Sequence, residues 1–134
     1  MSLAALPLTI IPFILYNLFM LTGVDLSAPL VENGITMISG GVWKFTWGDL
    51  LLLIGVVMLF IEIVKATYTG TASMIDHGLS MLVFIAFLVQ FLLVNQAASS
   101  VFFLLMMMAM IDVIAGFTIG IRVAKRDIGF GTDQ

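Results

Sequence analysis

Long apolar runs separated by short polar breaks dominate this chain. Leu50–Ile61 carries no charge, Met81–Val94 carries a single amide, and Val101–Ile111 carries no polar side chain. A helix that is apolar on every face has no solvent side. Stretches of roughly 18–20 residues with so few charges read as membrane spans. The pattern predicts spans over 6–22, 47–66, 74–94 and 100–124. The expected fold is an all-α integral membrane protein, four transmembrane helices in one compact bundle spanning 1–134 as a single domain.

The breaks carry local signals. Pro7 falls where a first-turn proline is tolerated. Pro12 lies further in, removes a backbone donor and is expected to kink the first helix. Thr46-Trp47-Gly48-Asp49 resembles a helix cap opening the second span. Tyr68–Thr71 and Asn95–Ser99 read as turns, and the polar, Gly-containing tail 125–134 as loosely ordered. The longest connection, 23–46, holds two β-prone runs, Ile35–Ile38 and Val42–Thr46, around Ser39-Gly40-Gly41. This predicts a short β-hairpin in the first extracytoplasmic loop. It is expected to rest on the bundle mouth with Trp43 and Trp47 at headgroup level, or else to bind a partner.

Composition agrees with the spans: 62% of the 134 residues are hydrophobic and 10% charged, against about half and about a quarter in soluble domains. The net charge of −3 argues against a nucleic-acid partner. No cysteine is present, which removes thiolate metal sites and redox pairs, and one histidine is too few for a bis-histidine haem within one chain. No cofactor is expected. The start, MSLAALPL, lacks a basic leader region, so the first apolar run is expected to be a retained helix. Lys65, Arg122, Lys125 and Arg126 fall at one end of the spans and Lys44 at the other. That bias predicts both termini in the cytoplasm, with the bacterial inner membrane as the expected bilayer.

Ionisable residues inside spans are costly and need a partner or a task. Asp112 is ten residues before Arg122, about 15 Å along the helix, which is near mid-membrane. It shares a stripe with Ala109, Gly116 and Gly120, a small-residue face suited to close helix packing. Glu62 and Lys65 lie three apart on one side of the second span. Asp76 and His77 are expected at the start of the third, where Asp76 complements the helix dipole. Glu62, Lys65, His77 and Asp112 together form a candidate proton or cation path or, more simply, a structural polar network. The outer half offers the amides Asn17, Gln90 and Asn95, which suit interhelical bonding and do not titrate. Arg122, Lys125 and Arg126 are candidate contacts to anionic lipid headgroups, with a purely topogenic role as the plainer account. The methionine run Leu105–Met110 reads as packing filler rather than a metal site.

No phosphate-cradling loop, zinc-protease helix, nucleophile elbow or nucleotide fingerprint is present in the sequence. The expected function is that of a non-catalytic membrane protein, an accessory or structural subunit of a larger membrane complex or a homo-oligomer among lipids. The alternative is a homo-oligomeric proton- or cation-coupled transporter or channel using Asp112 and Glu62. A lipid-modifying enzyme built on His77 and Asp76 is the weakest reading.

Overall fold

The computed structural model describes residues 5–68 and 70–132, which are mostly helical. Four helices, α1 (Ile10–Thr22), α2 (Trp47–Lys65), α3 (Thr71–Leu93) and α4 (Ser100–Thr132), are joined by short turns and one longer loop. Three segments are long and apolar enough to cross a membrane: α2, α3 and Ser100–Val123 of α4. Helix α4 is the spine, packed against both α2 and α3, while α1 lies mainly on α2.

The first helix departs from expectation. It is 13 residues long, about 20 Å at the usual rise, and so is shorter than a hydrocarbon core of about 30 Å. Residues 5–9 precede it as turns and irregular backbone. Pro12 is therefore the third residue of a helix rather than an interior kink. Its missing N–H costs little there, because early helical donors have no intrahelical acceptor. The carbonyls of Pro7 and Leu8 instead accept from the N–H groups of Ile10 and Ile11, at 3.2 and 3.0 Å. The helix ends at Gly23, whose φ of 79° is the left-handed conformation glycine adopts freely.

At the start of α2 the cap is complete. The Asp49 N–H donates to Thr46 Oγ1, and the Thr46 N–H donates to Asp49 Oδ2, both at 3.1 Å. Helix α3 begins three residues earlier than expected, after Gly70, so Asp76 lies beyond the first turn and does not serve the dipole. Helix α4 continues through the tail expected to be loose, as far as Thr132; residues 133–134 lie outside the described part. Extending a helix already nucleated costs far less than starting one.

The hairpin is present but shorter than expected, with Ile35 opposite Trp43 and Thr36 opposite Val42. It does not seat its apolar side chains in the bundle mouth. Ile35, Met37, Ile38, Val42 and Trp43 are all exposed, and Trp43 packs on Phe45. The loop is anchored at its base instead. There Trp47 N–H bonds the Ala28 carbonyl, Gly48 N–H bonds the Leu26 carbonyl, and the Trp47 ring meets Phe19 edge-on.

The apolar core fills the middle and the hairpin half of the bundle. Tyr16, Leu51, Phe87, Phe102, Leu105 and Met106 are buried together. Phe102 meets Tyr16 and Phe87 at centroid distances of 4.8 and 5.2 Å. Gly55 lets α2 close on α4: a Cβ there would lie 2.7 Å from Met108 Sδ and 2.8 Å from Leu105 Cδ2. Methionine in this run thus fills a helix seam, as a flexible side chain can.

Candidate functional site

The charged cluster occupies the other half, where the last turn of α2 faces the N-terminal part of α3 and residues 5–9. Lys65 is its centre. Its ammonium donates to Glu62 Oε1 at 2.8 Å, to Asp76 Oδ1 at 3.2 Å and to the Leu6 carbonyl at 2.6 Å. Glu62 Oε1 also accepts the Leu8 N–H at 2.9 Å. Glu62 and Asp76 are each 2% exposed, a burial that carboxylates tolerate only with partners of this kind. The cluster therefore does two jobs. It neutralises its own charges, and it satisfies backbone groups that the irregular segment before α1 leaves open.

Asp112 sits deeper, on α4, and is 4% exposed. The Thr9 hydroxyl donates to its Oδ2 at 3.4 Å. Thr9 is the residue before α1, yet its side chain caps no helical N–H; it reaches across to α4 instead. Both polar groupings thus converge on residues 6–9. Two buried oxygens, Glu62 Oε2 and Ser80 Oγ, have no hydrogen bond of standard length among the described residues, although Ser80 lies beside Asp112 and Glu62 beside Asp76. Glu62 also lies within electrostatic reach of Asp76 and Asp112.

The four candidate residues do not form one chain of contacts. Glu62 and Lys65 are bonded, and Asp112 lies within their field but bonds to Thr9. His77 also lies within the field of Glu62 and Lys65 but is hydrogen-bonded to neither. Its ring faces the small-residue stripe of α4, where a Cβ on Gly116 would lie 3.1 Å from Nδ1 and one on Gly120 2.9 Å from Nε2. Its hydrogen-bond contact is Ser73 Oγ, 3.4 Å from Nε2. Asp76 and His77 consequently point to different neighbours. On the expected packing face, Ala109 is 1% exposed and Gly116 is buried. The occupant of that face at the glycines is an imidazole from α3 rather than a bare backbone. Arg122, Lys125 and Arg126 project from exposed positions further along α4.

Sequence reasoning placed Asp76 in the wrong role and missed Thr9 and Ser80. A signal for the first and third was available. Lys65 and Asp76 are equidistant from the turn centred near Gly70, as Glu62 and Ser80 nearly are. A short antiparallel connection brings such residues level. Thr9 carried no comparable signal, because its position depends on where α1 begins.

Toward the hairpin end, Asn17 and Gln90 pair their amides reciprocally at 3.2 and 2.7 Å. The Tyr16 hydroxyl donates to the Gln96 carbonyl at 3.0 Å and lies 2.8 Å from Ser99 Oγ. Among the described residues no group of three or more His, Asp or Glu side chains is placed to hold a metal ion. The fold is a small helical bundle in which three helices are long and apolar enough to cross a bilayer. Comparison with protein families, curated proteins and solved structures gives no match.

Proposed function

We propose that the chain is a small non-catalytic integral membrane protein, an accessory or structural subunit of a larger membrane complex or a homo-oligomer. Its place is the bacterial inner membrane, with both termini cytoplasmic. The observation that carries this reading is the use made of Lys65. Its ammonium is bonded to Glu62, to Asp76 and to the Leu6 carbonyl, so the cluster has a structural task that accounts for its cost. Non-helical backbone at membrane depth is tolerated where protein groups satisfy it, and Glu62 and Lys65 do that for Leu8 and Leu6. With this support, residues 5–22 complete a fourth crossing that α1 is too short to make alone. The basic residues at the end holding Lys65 and Arg122 support the orientation.

The apolar outer surface suits lipid or neighbouring spans. Phe60, Leu82, Leu92 and Leu93 are each at least 60% exposed. The test is the mass of the particle extracted from its native membrane into lipid nanodiscs. Stoichiometric partner chains or a symmetric oligomer support the proposal; a bare monomer at native abundance would sink it.

A second reading, a homo-oligomeric proton- or cation-coupled transporter acting through Asp112 and Glu62, is favoured by one observation. Among the described residues Glu62 Oε2 and Ser80 Oγ are buried without a hydrogen bond of standard length, and such groups call for a water, ion or functional explanation. Liposomes carrying purified protein would then show a flux that Asp112→Asn abolishes. Tight liposomes under every imposed gradient would remove this reading.

A further inference from the structure

At the basic end, α3 and α4 part to leave an open groove of about 350 Å³, lined by Tyr68, Ser73, Met74, His77, Phe117 and Ile121 among others. Its origin lies in α4. Gly116 and Gly120 present no side chain, and the His77 ring occupies the room directly over them. Beside that ring the walls are apolar and outward-facing: Tyr68, Met74, Phe117 and Ile121 are all exposed. A groove of this shape on a lipid-facing surface fits a hydrocarbon chain.

The mouth of the groove is charged. Phe117, Ile121 and Lys125 recur every four residues, so Lys125 continues the groove wall by one turn. Because Gly120 abuts His77 and the helices are antiparallel, Lys125 comes level with the first turn of α3. Arg122 adjoins Ile121, and both basic residues are exposed. From 122 to 127 the three basic residues outnumber the single acid, Asp127. Asp76, the nearest acid on α3, is buried and already bonded to Lys65.

We infer that this groove binds one acyl chain of an anionic phospholipid, whose phosphate lies against Lys125 and Arg122. The inference rests on the membrane placement proposed above, and not on the choice between subunit, oligomer and transporter. Apolar wall and basic mouth are the two halves of the same amphiphile, and the proposed cytoplasmic leaflet is the one rich in anionic lipid.

The experiment uses the full chain in nanodiscs of equal phosphatidylglycerol and phosphatidylcholine, released for native mass spectrometry with lipid adducts counted. Phosphatidylglycerol is expected to be retained over phosphatidylcholine. Lys125→Gln and Arg122→Gln should each lower that preference about fivefold. Met74→Trp, placed on the exposed wall, should fill the groove and remove the adduct without touching the core. Lys44→Gln, at the opposite end, should leave it unchanged. Equal retention of both lipids, or retention of neither, overturns the inference while leaving membrane placement intact; failure of the chain to enter the nanodisc overturns the placement itself. Loss on charge removal without loss on Met74→Trp also overturns it, since that is a diffuse attraction at a helix end. So does a photo-crosslinker at position 74 that captures a protein chain in the native membrane.

Discussion

The Leu8 N–H and the Glu62 carboxylate are hydrogen-bonded at 2.9 Å across 54 positions of sequence. A charged side chain of α2 thereby completes the backbone of a segment that is not helical. Lys65 repeats the device at the Leu6 carbonyl. The folded position of residues 6–8 thus depends on two ionisable groups near the end of another helix.

Removing the cation should therefore be costly. Lys65→Met leaves Glu62 and Asp76 buried together without a counter-charge, and a loss of about 3–5 kcal/mol is expected. Adding Glu62→Gln in the same chain should recover part of it, because one uncompensated charge disappears. Reversible unfolding in mixed micelles measures both. A Lys65→Met variant as stable as the parent would contradict the role assigned to the cluster.

Asp112→Asn should be mild by comparison. An asparagine keeps an oxygen for the Thr9 hydroxyl, and interhelical hydrogen bonds in membranes average about 0.6 kcal/mol. The same unfolding measurement should find it within about 1 kcal/mol of the parent. Asp112→Leu should cost more, since it strands the Thr9 hydroxyl, itself 3% exposed.

The glycines should rank by what a new methyl group meets. Gly48→Ala would place Cβ 2.8 Å from Val101 Cγ2 and 3.1 Å from the Leu26 carbonyl oxygen, which is backbone and cannot step aside. Gly55→Ala meets the ends of the Met108 and Leu105 side chains, which can. Gly78→Ala meets nothing within 4 Å and should stabilise α3 by about 0.5–1 kcal/mol. Thermal unfolding of the three variants should give the order Gly48, Gly55, Gly78 from most to least damaging. Any other order would show that the α2–α4 seam is not the constraint.

In the loop before the hairpin, the Ser27 hydroxyl and N–H donate to Asp25 Oδ1 at 2.7 and 3.0 Å. These bonds favour the charged carboxylate and hold Asp25 below its ordinary value. The folded value is depressed, so the turn gains from the bond above the ordinary carboxylate range. It loses that gain as pH falls through the depressed value. Ser27→Ala should move the Asp25 titration back upward, read from its carboxyl carbon shift; an unchanged midpoint would mean the bonds are not formed in solution.

The sequence by itself determined the class of fold, because long uncharged runs leave a helix without a solvent face. It also determined the ends of elements wherever the signal is local. The Thr46–Asp49 cap depends on residues three apart, and the stop at Gly23 on one left-handed residue. It determined that charge gathers near the ends holding Lys65 and Arg122. What it left open depended on one boundary. Whether Pro12 kinks a long helix or stands in the first turn of a short one turns on Leu6, Leu8 and Thr9 finding partners on α2 and α4. No pattern within residues 6–22 encodes those partners. Only the tertiary structure decided that Lys65 joins Glu62 to Asp76, that Asp112 answers Thr9, and that His77 leaves the cluster for the glycines of α4. Apart from the Lys65–Glu62 pair, which lies within α2, those contacts join residues on different helices, or on one helix and the segment before α1. Periodicity fixes which face a residue occupies, but only packing fixes what that face meets.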